Sequence, residues 1–268
     1  MKRVLLTGGG GAIGVHVFAH LMENTDWHVT ILDSFRHKGN RDRIRQICEG
    51  HEEWWQRLTV IQHDLVAAIN RKIAAEIGDV NYILHLAALS DVFVAVDNPV
   101  YAIRNNVEST LTMLEYASER EHDAFILFST DEVYGPVRKG RAHPEWSPMR
   151  PSNAYSASKA ASECIAYPYW RAGQVKLIIT NTMNNFGPMQ AASKFPAMVQ
   201  RQLEAGEKVT VHGNEQEIGT RFYIHSRNTA DAVLYILRNL PPYLHRKGYL
   251  DDPDRYHIVG STCLSNLE

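Results

Sequence analysis

The chain has 268 residues, enough to bury one full core, and its 44% apolar and 22% charged residues are ordinary for a soluble globular protein. A formal net charge of −2 gives no broad electrostatic reason to bind nucleic acid or an anionic membrane. Three widely spaced cysteines fit neither a disulfide framework nor a zinc site, and the amino-terminal residues lack the apolar stretch of a signal peptide or membrane span, so we expect a cytoplasmic protein without a metal.

Short apolar runs alternate with helix-like stretches from the start of the chain. The runs predict strands at Val4–Leu6, His28–Leu32, Val60–Gln62, Tyr82–Leu86, Ala124–Phe128 and Val175–Thr180. The stretches between them predict helices at Val15–Met22, Arg41–Glu49, Ile69–Ile77, Val107–Glu121 and Tyr155–Arg171. Strands that are apolar throughout and separated by helices are typical of parallel βαβ units. We therefore predict an α/β fold with a Rossmann-type, doubly wound parallel sheet.

The sequence pattern changes near residue 187, where glycines and prolines divide the chain into shorter segments. We predict a main domain over residues 1–186 and a smaller substrate lobe over residues 187–268. The lobe is expected to be interleaved with the main domain, because segments around residues 215–240 resemble the end of the main sheet.

The first strand leads into a glycine pattern, Gly8-x-x-Gly11-x-x-Gly14, that opens a helix. Glycine is needed there because the backbone has to turn sharply and approach a pyrophosphate closely, while the helix amino terminus favours an anion. Asp33 ends the next strand, about twenty residues on, which completes a dinucleotide-binding pattern. Asp33 would accept the ribose hydroxyls and favour NAD over NADP, whereas Arg36 nearby could accommodate a 2′-phosphate.

Tyr155 and Lys159 are four residues apart and share one helix face. An ammonium next to a phenol is expected to lower the phenol pKa by stabilising the phenolate. Taken alone, this pairing is common by chance on helices. Downstream of a dinucleotide loop it predicts an activated catalytic tyrosine.

Two adjacent carboxylates, Asp131 and Glu132, follow Thr130 directly after the predicted strand Ala124–Phe128. The carboxyl ends of parallel strands are where such sheets bind ligands. Neighbouring carboxylates can hold opposite protonation states, because each disfavours ionisation of the other. The pair therefore predicts an acid and a base side by side.

Several of these segments resemble one known family. Thr-Gly-Gly-x-Gly-x-Ile-Gly at 7–14, His-Leu-Ala-Ala at 85–88 and Tyr-x-x-x-Lys at 155–159 resemble the extended short-chain dehydrogenase/reductases of the NAD-dependent epimerase/dehydratase family. Within that family, Ser-Thr-Asp-Glu-Val-Tyr-Gly at 129–135 resembles the nucleotide-sugar 4,6-dehydratases, most closely those that act on dTDP-glucose. The resemblance extends over nearly the whole chain, including Asn-Thr-Met-Asn-Asn-Phe-Gly-Pro at 181–188.

The resemblance implies a lyase that converts an NDP-hexose to the NDP-4-keto-6-deoxyhexose with bound NAD. Tyr155 would take the C4 hydroxyl proton while hydride passes from C4 to NAD, Lys159 would hold the nicotinamide ribose, and Thr130 would bond the C4 oxygen. Glu132 would then remove the C5 proton and Asp131 would protonate the departing C6 hydroxyl. Hydride would return to C6, and Glu132 would return a proton to C5.

The same resemblance implies the binding residues. Those for NAD would be Gly8, Gly11, Ala12, Ile13, Gly14, Asp33, Ser34, Gly39, Asn40, Asp64, Leu65, Leu86, Ala87, Ala88, Ser90, Asn105, Tyr155, Lys159 and Asn185. Those for the nucleotide sugar would be Ser90, Thr130, Asn184, Lys194, Arg221 and Asn266. Lys194 and Arg221 also fit without the resemblance, because a diphosphate requires cationic partners.

The chain departs from the family pattern at two places. Family members usually carry Arg-Asp-aromatic-x-Tyr-Val-x-Asp where this chain has Arg-Phe-Tyr-Ile-His-Ser-Arg-Asn at 221–228, so both acidic positions differ. Relatives also continue past the point where this sequence stops, which implies a shortened substrate lobe. We expect this lobe to alter nucleotide recognition or activity.

Three readings remain open from the sequence. The first is the 4,6-dehydratase; the second is an NDP-sugar 4-epimerase or related oxidoreductase that uses Tyr155 and Lys159 without elimination; the third is a non-catalytic NAD-binding protein. Family members commonly form homodimers through helices corresponding to Val107–Glu121 and Tyr155–Arg171, so we expect a homodimer.

Overall fold

A parallel sheet forms the centre of the computed structural model, which describes residues 1–37, 40–137, 142–211, 219–241, 252–265 and 267. Within these ranges the strands are β1 Arg3–Thr7, β2 His28–Asp33, β3 Leu58–Gln62, β4 Tyr82–His85, β5 Ala124–Thr130, β6 Leu177–Thr182, β7 Asn184–Phe186, β8 Thr220–His225, β9 Asp254–Ile258 and β10 Cys263–Ser265. The α-helices are α1 Ala12–Asn24, α2 Asn40–Cys48, α3 Arg71–Ile77, α4 Val92–Asp97, α5 Pro99–Ser118, α6 Ala154–Arg171, α7 Phe195–Glu204 and α8 Ser226–Arg238.

The main sheet has seven strands in the order β3-β2-β1-β4-β5-β6-β9, and each neighbouring pair runs parallel. The order reverses between β1 and β4, so the crevice at the carboxyl ends of these two strands is where such a fold binds ligands. The predicted Rossmann-type fold is confirmed.

Helices cover both faces of this sheet, which explains why its strands are apolar throughout. On β1, Val4 and Leu6 belong to one buried apolar cluster, whereas Leu5 belongs to the cluster on the opposite face. The first cluster includes residues of α1 and α8, and the second includes residues of α5. These two apolar clusters, one on each face of the sheet, hold the strands in place. The loops at the strand ends can therefore carry polar side chains.

The predicted elements match the observed ones with small shifts at the ends. Strand β6 covers Leu177–Thr182 where Val175–Thr180 was predicted, and α6 begins one residue before Tyr155. Helix α5 begins at Pro99, well before the predicted Val107, because the Asn98 side chain accepts a hydrogen bond from the Tyr101 amide. A proline at the first helical position behind such a cap is a typical start of a helix.

Elements after residue 187 return to the main sheet at two points. Helix α8 packs against α1, and β9 pairs with β6 as the seventh strand. The short strands β7, β8 and β10 form a second sheet in which β7 and β8 are parallel and β8 and β10 antiparallel. The two-domain division at residue 186 remains a prediction. Across the described ranges, no helix is long and apolar enough to cross a membrane.

Candidate active site

The loop between β1 and α1 has room for glycine only. Gly8 has a φ of +69°, and a Cβ atom there would lie 2.8 Å from the backbone of Ala87 at the end of β4. A Cβ on Gly14 would lie 2.3 Å from the Gly8 carbonyl oxygen. The residue before α1, Gly11, provides no side-chain cap. The first amides of α1 therefore face a cradle that suits an anionic group such as a pyrophosphate.

Asp33 lies beside this loop, buried at the end of β2. Its two carboxylate oxygens accept hydrogen bonds from the Gly10 amide at 3.0 Å and the Phe35 amide at 2.8 Å. These bonds fix the carboxylate next to the glycine loop while leaving further lone pairs on both oxygens. The position suits recognition of the ribose hydroxyls of a dinucleotide.

Arg36 is engaged with predicted cofactor residues. Its guanidinium forms an ion pair with Asp64 at 3.2 Å and donates hydrogen bonds to the side chains of Ser34 and Asn105. A 2′-phosphate would therefore have to displace Asp64 from Arg36. This arrangement favours NAD over NADP at the adenosine end of the predicted site.

Replacing Asp33 by alanine should weaken NAD binding roughly 10- to 100-fold, because a hydrogen bond to a charged group contributes about 1.5–3 kcal/mol. Loss of the carboxylate should also reduce the discrimination against NADP. Calorimetric titration of both dinucleotides measures the two effects. Asp26→Ala, at an exposed position before the same strand, is the control. An unchanged NAD:NADP ratio in the Asp33 variant would reject this assignment.

The two carboxylates lie in a tight turn at the end of β5. Strand β5 ends at Thr130, and Asp131–Tyr134 form a single turn of 3₁₀-helix. The Thr130 hydroxyl accepts a hydrogen bond from the Glu132 amide at 3.3 Å and donates one to Asp131 at 3.2 Å. Thr130 thus caps the turn and orients the first carboxylate.

Glu132 is held from the neighbouring helix. Its Oε2 accepts a hydrogen bond at 3.1 Å from the side-chain amide of Asn153, which is also the N-cap of α6 in a capping box with Ser156. Sequence reasoning missed Asn153, although an asparagine directly before a helix is a recognisable start signal.

The surroundings of Asp131 differ from those of Glu132. Burial raises the pKa of Asp131, and the nearby Glu132 carboxylate raises it further, while Thr130 and Arg221 oppose the shift. Glu132 instead accepts a hydrogen bond from the neighbouring helix. Different surroundings for two adjacent carboxyl groups are what an acid and a base require.

The pKa of Tyr155 is raised, so the expectation that Lys159 would lower it is wrong for this structure. Burial is the largest cause, and the charges of Glu132 and Asp131 add to it, while a hydrogen bond with Thr130 acts in the opposite direction. The sequence argument considered only the helix neighbour and not the two carboxylates brought across from β5. Tyr155 therefore lies beside both carboxylates and Thr130, as the proposed chemistry requires.

Lys159 is almost fully buried, with 3% of its surface exposed. Burial lowers its pKa from 10.5 to about 8, and Glu163, one turn further along α6, partly offsets this. Its ammonium is thus an expensive buried charge directly below the phenol of Tyr155 on the same helix face.

A buried polar layer lies beneath the site. The Thr110 hydroxyl on α5 donates to the Asn106 carbonyl oxygen at 2.8 Å, so it accepts from Nε2 of His85 at 3.2 Å. Nδ1 of His85 then accepts from the Thr7 hydroxyl at 2.8 Å, and that hydroxyl accepts from the Ala87 amide at 3.2 Å. Burial and the Lys159 charge lower the pKa of His85 to about 3, so the ring is neutral. The layer ties the glycine-loop strand to α5.

Several predicted binding residues meet around the site, and others are separated from it. Lys194 donates to the carbonyl oxygen of Ser90 at 2.9 Å, so these two predicted substrate residues are in contact. Asn185 accepts from Thr229 on α8, and Asn184 lies beside it on β7. Two predicted residues lie outside the described part of the chain, namely Gly39 and Asn266.

Comparison with known proteins places these features in a family. The family model described as NAD dependent epimerase/dehydratase family matches residues 4–245. The low-salt glycan biosynthesis protein Agl12 of Haloferax volcanii is 31% identical over 267 residues, covering 99% of this chain and 79% of the relative. A dTDP-glucose 4,6-dehydratase of Streptomyces niveus is 29% identical over 271 residues, covering 99% of this chain and 75% of the relative.

The fold also matches a solved enzyme structure. DesIV, a dTDP-glucose 4,6-dehydratase from Streptomyces venezuelae whose crystal structure contains NAD, superimposes with a TM-score of 0.84 at 28% identity. The match covers 99% of this chain and 78% of that one.

Proposed function

This chain belongs to the NAD-dependent epimerase/dehydratase family, and from that premise we propose that it is a nucleotide-sugar 4,6-dehydratase. The observation that supports the proposal is the pairing of Asp131 and Glu132 at the end of β5, next to Tyr155. The pKa of Asp131 is raised, whereas Glu132 accepts a hydrogen bond from Asn153. Elimination of water requires such an acid and base on one sugar.

The residues of the β1–α1 crevice suit NAD. A Cβ atom at Gly8 or Gly14 would collide with the Ala87 backbone or with the Gly8 carbonyl oxygen, so the chain stays close here, and the carboxylate of Asp33 is fixed beside this loop. We propose that Asp33, Asp64 and Asn105 would hold the adenosine half of NAD while Lys159 would hold the nicotinamide ribose. When bound, NAD would supply the hydride acceptor.

The first step is oxidation at C4 of the sugar. Tyr155 removes the C4 hydroxyl proton as the carbonyl forms. The raised pKa of Tyr155 means that its phenolate has to be stabilised before this step, and the hydrogen bond with Thr130 acts in that direction. Once the phenol has taken the proton, the Thr130 hydroxyl turns to the C4 oxygen.

The second step is loss of water. The C4 carbonyl acidifies the C5 proton, which Glu132 removes, and Asp131 gives its proton to the departing C6 hydroxyl. The C5–C6 double bond forms as the C6–O bond breaks, so one water molecule leaves. Hydride would return from the reduced cofactor to C6 as Glu132 returns a proton to C5, which leaves the 4-keto-6-deoxy sugar. Tyr155 then releases to solvent the proton that it took from the C4 hydroxyl, and Asp131 regains one from solvent, so no proton is gained or lost overall.

We propose that the diphosphate of the substrate lies between Lys194 and Arg221. Arginine matches phosphate oxygens with two parallel hydrogen bonds, and lysine adds a point charge. Where relatives usually carry acids, this chain has Phe222 and Asn228, so the diphosphate neighbourhood carries fewer negative charges. The nucleotide-sugar class follows from the cationic pair; the base and the sugar are left to experiment.

Purified protein should convert at least one of dTDP-, UDP-, GDP- and CDP-hexose to a 4-keto-6-deoxy product. Nuclear magnetic resonance of the reaction mixture identifies the product directly. A 4-epimer without loss of water would favour the epimerase alternative, which uses Tyr155 and Lys159 alone. Protein that carries NAD but turns over none of the four sugars would favour the non-catalytic alternative.

We also propose that the protein forms a homodimer through α5 and α6. Large apolar side chains on α5 are exposed in the single chain, among them Val100 at 66%, Leu111 at 42% and Ile103 at 40%. A second copy packed on this face would remove them from water. The substrate lobe over residues 187–268 and the cytoplasmic location remain predictions.

A further inference from the structure

A buried ionic cluster, not foreseen from the sequence, lies beneath the catalytic turn. Its centre is an ion pair between Glu163 on α6 and Arg255 on β9, with a separation of 2.6 Å. The Glu163 side chain is fully buried and that of Arg255 is 10% exposed. We call this pair, together with Asn181, Tyr134 and His257, the Arg255 cluster.

Asn181 connects the ion pair to the end of β5. Its side-chain nitrogen donates to the Thr130 carbonyl oxygen at 3.1 Å and to Glu163 at 2.9 Å. Its side-chain oxygen accepts from Arg255 at 2.8 Å and from the Tyr134 hydroxyl at 3.2 Å. Both ends of the amide are satisfied by the cluster, so the orientation of Asn181 is fixed. The backbone of Thr130 is fixed with it.

Tyr134 connects the cluster to the other end of the turn. It is the last residue of the 3₁₀-turn that contains Asp131 and Glu132. Its hydroxyl also lies 3.0 Å from Nε2 of His257 and 3.1 Å from the Glu145 carbonyl oxygen. The cluster therefore contacts the turn at both ends: through the carbonyl of Thr130, the residue that caps the turn, and through the phenol of Tyr134, its last residue.

We infer that Arg255 is a positioning residue for the catalytic turn, acting through Glu163, Asn181 and Tyr134 on the placement of Asp131 and Glu132. This inference rests on the proposed dehydratase function. It assigns a catalytic task to β9, a strand that comes from the carboxy-terminal part of the chain and otherwise completes the sheet.

Positioning of the catalytic turn explains the Arg255 cluster better than stabilisation of the fold does. Replacing a buried ion pair by apolar residues is often neutral or stabilising, so burial of Glu163 and Arg255 does not by itself strengthen the fold. A buried network with every polar atom satisfied does, however, impose one arrangement on the groups that it binds. The groups bound here are the two ends of the turn that carries the acid and the base.

Three variants test the inference. Arg255→Met removes the guanidinium, and Arg255→Lys keeps the charge without the planar fork. If Arg255→Met does not fold, Arg255→Met with Glu163→Gln removes both charges of the ion pair. Arg57→Met is the matched control: Arg57 donates to the carbonyl oxygens of Met22, Thr25 and Trp27 at the opposite ends of the strands.

Two measurements separate placement from stability and from the proposed reaction. Displacement of catalytic groups by about 1 Å can cost on the order of 100-fold in rate, so kcat should fall about 10- to 100-fold in Arg255→Met with KM nearly unchanged. Hydrogen exchange of the amides of residues 131–135 should accelerate about tenfold in the same variant, as local opening becomes easier. Arg255→Lys should restore part of both, and Arg57→Met should change neither.

Exchange does not depend on turnover, so the two proposals can fail separately. Exchange that accelerates at residues 131–135 in a protein without dehydratase activity would retain the positioning role and reject the reaction. Exchange and kcat that stay at the wild-type values in the folded double variant would overturn the inference. If Arg57→Met, at the same thermal stability as Arg255→Met, lowers kcat by the same factor as Arg255→Met, the inference is overturned as well.

Discussion

Glu132→Gln should abolish both product formation and exchange of the C5 proton with solvent while NAD binding stays at the wild-type level. The substitution keeps the shape of the side chain and its contact distance to Asn153 but removes the basic oxygen. A positioned general base contributes about 10²–10⁴-fold, so kcat should fall by at least the lower of these factors. Deuterium uptake from heavy water, followed by nuclear magnetic resonance of the recovered sugar nucleotide, measures the exchange.

The oxidation at C4 should survive in this variant, because Tyr155, Thr130 and Lys159 are unchanged. Reduced nicotinamide should therefore accumulate after mixing with substrate, which its absorbance reports. Glu23→Gln, an exposed glutamate near the end of α1, is the control. Exchange and turnover within about twofold of the wild type would show that another group is the base.

Lys159→Met should raise stability and lower activity together. The pKa of Lys159 is lowered from 10.5 to about 8 by burial, so at pH 7 its buried ammonium costs about 3 kcal/mol relative to the unfolded chain. A methionine of similar length removes that cost. The same variant loses the ammonium proposed to hold the nicotinamide ribose, and displacement of a reacting group by about 1 Å can cost on the order of 100-fold in kcat.

The pH dependence has a definite sign. Between pH 8 and 10.5 the unfolded chain holds more protons at Lys159 than the folded chain does, so this group makes the wild type more stable as pH rises. Below pH 8 the full cost is present. Denaturant unfolding of the NAD-free proteins should therefore give Lys159→Met a higher free energy of unfolding than the wild type at pH 7. This difference should shrink between pH 8 and 10.5. Lys72→Met, at an exposed position, is the control. A difference between the wild type and Lys159→Met that is constant with pH would contradict the buried-charge assignment.

The parts of the fold that sequence predicts are those with short-range signals. The loop from Gly8 to Gly14 lies between an apolar strand and a helix, and Asp33 follows at a fixed spacing, so local pattern suffices for the first half of the sheet. Strands β7 and β10 have three residues each, too short for a period to be recognised. Strand β9 reads Asp-Arg-Tyr-His-Ile at 254–258, which has no apolar run, and its pairing with β6 makes it part of the main sheet.

The candidate site divides in the same way. Tyr155 and Lys159 are recognisable because a helix brings positions four apart together. The predicted direction of the Tyr155 pKa shift is wrong because Asp131 and Glu132 approach Tyr155 from another element. Arg255 contacts Glu163 across 92 positions, and nothing local to either residue signals that partner. Sequence therefore predicts which groups could react, while their protonation and placement depend on long-range packing.

Migration of one hydrogen within the sugar tests the central claim most directly. The proposed reaction moves the hydrogen on C4 to C6 of the same molecule and takes a single hydrogen from solvent at C5. With an NDP-hexose deuterated at C4, in ordinary water, the account predicts a 4-keto-6-deoxy product that carries deuterium at C6. The unlabelled substrate in heavy water should give a product with one deuterium, at C5. A product with deuterium again at C4, or deuterium lost to solvent, would contradict it.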